Sequence, residues 1–275
     1  MKTAFKILPQ LQQNESFDLI VEVGWDVVSL VYSTMNPLCI QALYIFHTAK
    51  DSPALQLAEE LEECFEKENL PNHSSCHICY NFKEYTLVPT TFFKERDLGE
   101  MIDLLHGVSN HSSCFAENVE GMDMLVAHRV DKRIEALLTH HFPAAQMHHS
   151  LALQLPVLSK EPDTLFCTVY PQNIKVILFR NGALQIARFF EYTTPADVAY
   201  HLLNVCAQHE FPPESGRLLL SGFIDQKSNL YEELYRYFFN VELDAGNNDV
   251  STAQAVSQYP VHFFTPLTSL VKCVS

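Results

Sequence analysis

The chain writes one structural pattern twice, first from about Phe17 and again from about Thr164. Each copy has three apolar, strand-like runs followed by a helix that a hydroxyl residue and a proline open. The first copy runs LIVEVG, VVSLVY and CIQALYIF, then Ser52-Pro53; the second runs LFCTVY, IKVILF and LQIARFF, then Thr194-Pro195. Short strands joined by tight turns predict an antiparallel meander in each copy.

In the first copy, Asp18 to Val23 is apolar enough to be buried on both faces, and Gly24-Trp25-Asp26 and Asn36-Pro37 supply the turns. Ser52 is the expected helix cap with Pro53 at the first helical position, and Ala54, Leu57, Ala58, Leu61, Cys64 and Phe65 share one helical face. Glu59, Glu62, Glu63 and Glu66 fall on the opposite, solvated face. In the second copy the turns are Pro171-Gln172-Asn173 and Asn181-Gly182, and Thr194 with Asp197 makes a capping-box pattern ahead of Val198, Leu202 and Val205. A strand over Arg217 to Ser221, Gly222 and a helix near Ser228 to Phe239 follow. A strand reached through a helix is a parallel crossover, so each copy predicts a mixed sheet with helices packed on it.

Between the copies lie strands near Cys76 to Asn81 and Tyr85 to Val88, a helix near Glu95 to His106, a Glu120-Gly121 hairpin and a helix over Val130 to His141. The expected division is a first lobe over 1–160 with a subdomain inserted at about 72–130, and a second lobe over 161–275. The boundary is placed in the polar stretch Ser159 to Asp163, which contains Pro162.

A chain of 275 residues that is 47% hydrophobic can bury two cores of ordinary size. Its formal charge of −15, with no Lys/Arg run interleaved with aromatics, argues against nucleic acid as a partner. The first residues carry one short apolar patch broken by Pro9, unlike a signal peptide, and there is no run of 18 apolar residues. The expected location is the cytoplasm, without direct membrane insertion. In that reducing compartment the eight cysteines are expected to be free, mostly buried thiols.

Two lobes with this element order resemble the actin-like ATPase fold, an α/β architecture of duplicated ribonuclease H-like lobes around a cleft. The segments DLIVEVGWDVVSLVY, YTLVPTTFF and LLLSGFIDQKSNLYEELYRYF resemble an uncharacterised Bacteroidetes family with that fold. More distantly, the chain is similar to the actin-like assembly proteins of type IV pili and to the cytoplasmic domain of the type II secretion L protein. Active members of the superfamily hold ATP phosphates in one hairpin turn per lobe, usually D-x-G followed by small residues. Backbone N–H groups cradle the phosphates and carboxylates order Mg²⁺. The resemblance places Glu22, Gly24, Trp25 and Asp26 in the first turn, with Glu22 at the aspartate position and bulky Trp25 where a small residue belongs. The second turn, Thr168-Val169-Tyr170-Pro171, has no acid, no glycine and a proline without an N–H. Gly222 is what remains of the glycine pair beside adenosine, with Phe223 replacing the second glycine. The chain has eight glycines against about 19 at the usual ~7%. The resemblance therefore implies an inherited cleft whose ATPase machinery is largely lost.

Other patterns have plainer readings. Glu22 and Asp26 suit a metal, but with no acid in the second turn the plainer reading is a polar strand end and an ordinary turn aspartate. Trp25 suits base stacking or a packing role at a sheet edge. Cys76-His77-Ile78-Cys79 after His73, and His111 with Cys114, have zinc-like spacing; yet CHICYNF has the pattern of a strand, where residues three apart face opposite ways. His140-His141 and His148-His149 are metal or pH-sensing candidates whose adjacent rings diverge. No Gly-x-Ser-x-Gly elbow is present, and a ribonuclease would need more clustered acids than Glu22.

The expectation is a non-catalytic protein of actin-like fold, with no catalytic or metal residues, that works by binding another protein or itself. The alternative is a divergent Mg-ATP-binding ATPase or small-molecule kinase using Glu22, Asp26 and Gly222.

Overall fold

A computed structural model describes residues 1–8, 17–49, 53–68, 70–161, 163–246 and 249–275. Strands β1 (Lys2–Ile7), β2 (Phe17–Val23), β3 (Val27–Met35) and β4 (Leu38–His47) lead to α1 (Ala54–Lys67) and β5 (His73–Tyr80). Next come β6 (Tyr85–Pro89), α2 (Leu98–His106), β7 (Ser112–Asn118), β8 (Met124–Asp131), α3 (Lys132–His141), β9 (Gln146–His149) and α4 (Ser150–Leu158). The second copy comprises β10 (Thr164–Val169), β11 (Asn173–Arg180), β12 (Ala183–Glu191), α5 (Pro195–Gln208), β13 (Arg217–Gly222), α6 (Asn229–Tyr235) and β14 (Asn240–Leu243). The chain closes with β15 (Ser251–Thr252) and α7 (Thr265–Val274).

Two compact units result: Met1–Pro156 with Asp249–Val256 and Leu270–Ser275, and Val157–Asn248 with Ser257–Ser269. The chain thus returns twice to the first unit after the second begins, which a single cut at 160/161 leaves out. One return is β15, which adds parallel to β4.

The duplication is realised strand by strand. In the first unit the order is β4-β3-β2-β5-β9, with β1 added outside β4; in the second it is β12-β11-β10-β13-β14. In both, the first three strands are antiparallel and the next two are parallel to the first. This is the ribonuclease H-like order in duplicate, the α/β actin-like architecture anticipated from the sequence. Even a bulge repeats. Gln41 is the extra residue in β4 and Gln185 the extra residue in β12, and their amides donate to Thr34 Oγ1 and the Arg180 carbonyl at corresponding places in β3 and β11.

Apolar burial explains why these runs become sheets with helices on them. In the first unit Leu57, Leu61, Cys64 and Phe65 of α1 pack with Ile134 and Leu138 of α3 against Leu19, Val21 and Ile78. Each such leucine removed from water contributes roughly 1.5–3 kcal/mol. The second core gathers Val198, Leu202 and Val205 of α5 over Leu165, Val176 and Leu218. Thr194 and Asp197 form the full capping box. At α1, Pro53 stands at the cap with no side-chain cap bond and the helix starts at Ala54; the expected cap, Ser52, lies outside the described residues, as does Pro162.

Several boundaries differ from those expected. β5 pairs in parallel with β2 and belongs to the main sheet, so the inserted sheet β6-β8-β7 begins only at Tyr85. Val130 and Asp131 close β8, and Asp131 caps α3 by accepting from the Arg133 N–H. Residues 95–97 form a 3₁₀ turn ahead of α2, and α6 ends at Tyr235 rather than near Phe239. β1, β9, α4, β14, β15 and α7 have no counterpart in the sequence expectations.

Candidate functional site

The turn after the first strand is built in the same way in each unit. In the first, the Gly24 N–H donates to the Val27 carbonyl at 2.9 Å; in the second, the Tyr170 N–H donates to the Asn173 carbonyl at 2.9 Å. Flanking bonds correspond as well: Asn81 N–H to Val23 O and Phe223 N–H to Val169 O, each 2.8 Å, and Thr48 N–H to Asp26 O and Tyr192 N–H to Gln172 O, each 3.1 Å. Glu22 therefore corresponds to Thr168, Gly24 to Tyr170, Trp25 to Pro171 and Asp26 to Gln172.

In the first unit Glu22, the penultimate residue of β2, is 3% exposed, and its Oε1 accepts from Ser150 Oγ at 3.0 Å. Asp26 is also buried. Trp25 lies with its ring 4.9 Å from that of Phe82, its indole N–H donates to Glu84 Oε2 at 2.8 Å, and its carbonyl accepts from Thr48 Oγ1. A Cβ on Gly24 would stand 3.0 Å from the Asn81 carbonyl oxygen, so this glycine lets the turn approach the end of β5.

In the second unit Thr168 Oγ1 lies 2.9 Å from Ser221 Oγ, a neutral pair in place of a buried carboxylate. Tyr170 is buried with its ring 6.2 Å from that of Phe189, and the Lys175 ammonium sits 5.8 Å from both ring centres. Gly222 has φ +79°, and a Cβ there would overlap the Val169 carbonyl oxygen. Its position is thus demanded by the backbone of its own unit. The two units supply the same close approach from opposite sides, the turn in one and the neighbouring strand in the other.

A polar network around β9 was not legible in the sequence. Glu117 of β7 accepts from the His149 backbone N–H at 2.6 Å and lies 2.8 Å from His148 Nδ1; His148 Nε2 faces His77 Nδ1 at 3.4 Å. His149 and His128 are buried with ring centres 4.8 Å apart. Burial lowers the His128 pKa to about 4, and it lowers that of His77 as well, helped by neighbouring His148. Both are neutral at pH 7. The one local signal was a histidine pair and Ser150 placed just before an apolar run.

The metal-like motifs separate. Cys76 packs in the core with α1, whereas Cys79, three residues on, turns to the other face of β5, where burial and then the Glu22 charge raise its thiol pKa well above normal. Burial pushes Cys76 up to about 12. The His141 ring lies tilted against that of Phe65 with centres 5.0 Å apart, and its Nε2 lies 3.5 Å from Glu62, while His140 is exposed. Among the described residues no three His, Cys, Asp or Glu side chains converge as a metal set, and all eight cysteines are free.

Duplicated sheets of this order, each with its hairpin turn, define an actin-like ATPase fold. Within that class the chain matches, over residues 9–241, the family described as protein of unknown function DUF3822, and it belongs to that family. No curated protein sequence matches it. Among solved structures it is similar to a Bacteroides thetaiotaomicron protein of actin-like ATPase fold and unknown function, with 18% identity, TM-score 0.77, and 94% of this chain and 96% of that one covered. It is similar also to a chain of the PilM–PilN type IV pilus biogenesis complex, with 13% identity, TM-score 0.53 and coverage of 95% and 97%. The cytoplasmic domain of EpsL, an inner membrane component of the Vibrio cholerae type II secretion system, aligns with 12% identity, TM-score 0.47 and coverage of 94% and 96%.

Proposed function

We propose that this protein is a non-catalytic member of the actin-like fold that works in the cytoplasm by binding another polypeptide. The observation that carries the reading is the second turn. Where a phosphate-binding turn needs an acid, a close-approach glycine and free N–H groups, this one has Thr168, a buried Tyr170 whose N–H closes the turn, and Pro171. In the first turn Glu22 is engaged by Ser150 and Trp25 is fixed by Glu84 and Phe82, so the retained residues are already used in packing. Core and site are encoded separately, and a fold can keep the first while relaxing the second. Among the described residues no helix is long and apolar enough to cross a membrane. The PilM–PilN structure is itself a complex of two proteins, which is in keeping with a binding role for this fold.

Calorimetric titration of the full chain with Mg-ATP should give no binding heat, and incubation should release no phosphate. Micromolar binding together with phosphate release that Glu22→Ala abolishes would overturn the proposal in favour of a divergent Mg-ATP-dependent enzyme.

A further inference from the structure

The duplication also shows which sheet edge the second unit leaves open. In the first unit the outer edge of β4 is covered: β1 adds antiparallel over Leu43–His47 and β15 adds over Cys39 and Ile40. The corresponding strand of the second unit, β12, has β11 on one side and no strand on the other among the described residues. Their burial differs accordingly. Ile40 and the run Ala42 to Phe46 are buried in β4, whereas none of the nine residues of β12 is.

The bond from the Tyr192 N–H to the Gln172 carbonyl sets the phase of the β11–β12 ladder, so Ile186, Arg188 and Phe190 direct their backbone groups toward β11. Ala187, Phe189 and Glu191 direct theirs to the outer side. These are the counterparts of Leu43, Ile45 and His47, opposite which β1 places Ile7, Phe5 and Lys2. The Glu191 carbonyl is taken by His201 Nε2 at 3.1 Å, and Ala187 stands at the centre of the nine-residue strand.

We infer that β12 binds an extended segment of another protein, added antiparallel in the place β1 occupies on β4, with a carboxylate opposite Arg188. On β4 the matching cross-strand pair is Lys6 over Tyr44, with the ammonium 6.0 Å from the ring centre. On β12 the Tyr44 position is Arg188, which is exposed, lies 5.5 Å over the Phe190 ring and makes no ion pair among the described residues. A lysine opposite it would be repelled and an acid attracted. The same charge disfavours a second copy: in a two-fold β12–β12 pairing centred on Ala187, Arg188 or Phe189, the two Arg188 side chains stand directly opposed or diagonally adjacent. Strand addition takes affinity from the main chain and specificity from such alternate side chains. Among the described residues the other edge strand, β14, has no covered counterpart, since β9 also ends its sheet.

The inference rests on the binding role proposed above, and its test is independent of nucleotide. The probes are synthetic peptides of residues 2–7, one native and one carrying Lys6→Glu, titrated into the isotope-labelled full chain. The Lys6→Glu peptide should shift the amide signals of Ala187 and Phe189 and bind at least fivefold more tightly than the native peptide. Arg188→Glu should invert that preference. Ala187→Pro, which removes an outward N–H at a position where an edge strand tolerates proline, should leave the melting temperature within a few degrees and abolish the shifts. Equal affinities, shifts elsewhere, or a dimer that Ala187→Pro dissolves would overturn the inference.

Discussion

The first unit keeps a carboxylate and a glycine in its turn, Glu22 and Gly24, where the second has Thr168 and Tyr170; beside the turn the roles reverse, with Tyr80 in the first unit and Gly222 in the second. Both units bring the turn and the fourth strand of the sheet to the same hydrogen-bonded closeness. What the backbone requires is one residue without a Cβ at that crossing, and either side satisfies it. Retained glycines are therefore weak witnesses to nucleotide binding. A second difference is insertion: between β5 and β9 the first unit carries a three-stranded sheet with α2 and then α3, whereas β13 reaches β14 through α6 alone.

The largest effect that separates the two crossings is expected at Gly222. Alanine there meets both a left-handed backbone and an overlapping Val169 carbonyl, and Gly222→Ala should cost about 3 kcal/mol or more. Gly24→Ala, without a positive φ and with its tightest contact at 3.0 Å, should cost roughly 1–2 kcal/mol. Urea unfolding of both variants ranks them; a reversed order would break the account of the shared crossing.

The insertion supplies a pH dependence of its own through a buried histidine. Burial depresses the His128 pKa from its usual 6.5 to about 4, so between those values the unfolded chain binds more protons than the folded one. The associated stability, about 3 kcal/mol in order of magnitude, is fully present above pH 6.5 and is lost as pH falls toward 4. Denaturant midpoints of the wild type should fall between pH 7 and 5 more steeply than those of His128→Leu. Parallel slopes would remove His128 from the explanation.

The smallest contrast lies at the helices that follow each meander. Thr194→Ala removes one half of the α5 capping box and should cost about 1 kcal/mol, seen as a melting temperature lowered by a few degrees. Pro53→Ala at the start of α1, where the cap residue itself makes no side-chain cap bond, should change it less.

Much of the architecture was legible because periodic apolar runs and turn residues act locally. LIVEVG and IKVILF, Asn181-Gly182 and the Thr194 to Asp197 box state their structures within a few residues. The missed elements lack such signals. KTAFKI is a strand only because the β4 edge receives it; α4 is nearly uniformly apolar and shows no face; β14 has four residues. The first-turn residues could be named in advance, but not that Ser150 would reach Glu22 from 128 residues away, nor that Glu117 would hold the β9 histidines.

The sequence by itself determined the duplicated meander, the helices behind it and the loss of acid, glycine and N–H from the second turn, since each rests on neighbours in the chain. Only the tertiary structure decided which glycine serves which crossing, that the two copies share a glutamine bulge, and that one edge is sheathed by β1 while its twin has no strand beside it among the described residues. Those outcomes depend on which distant backbone arrives alongside. A period of two or 3.6 residues tells a segment what to become and leaves open what will pair with it.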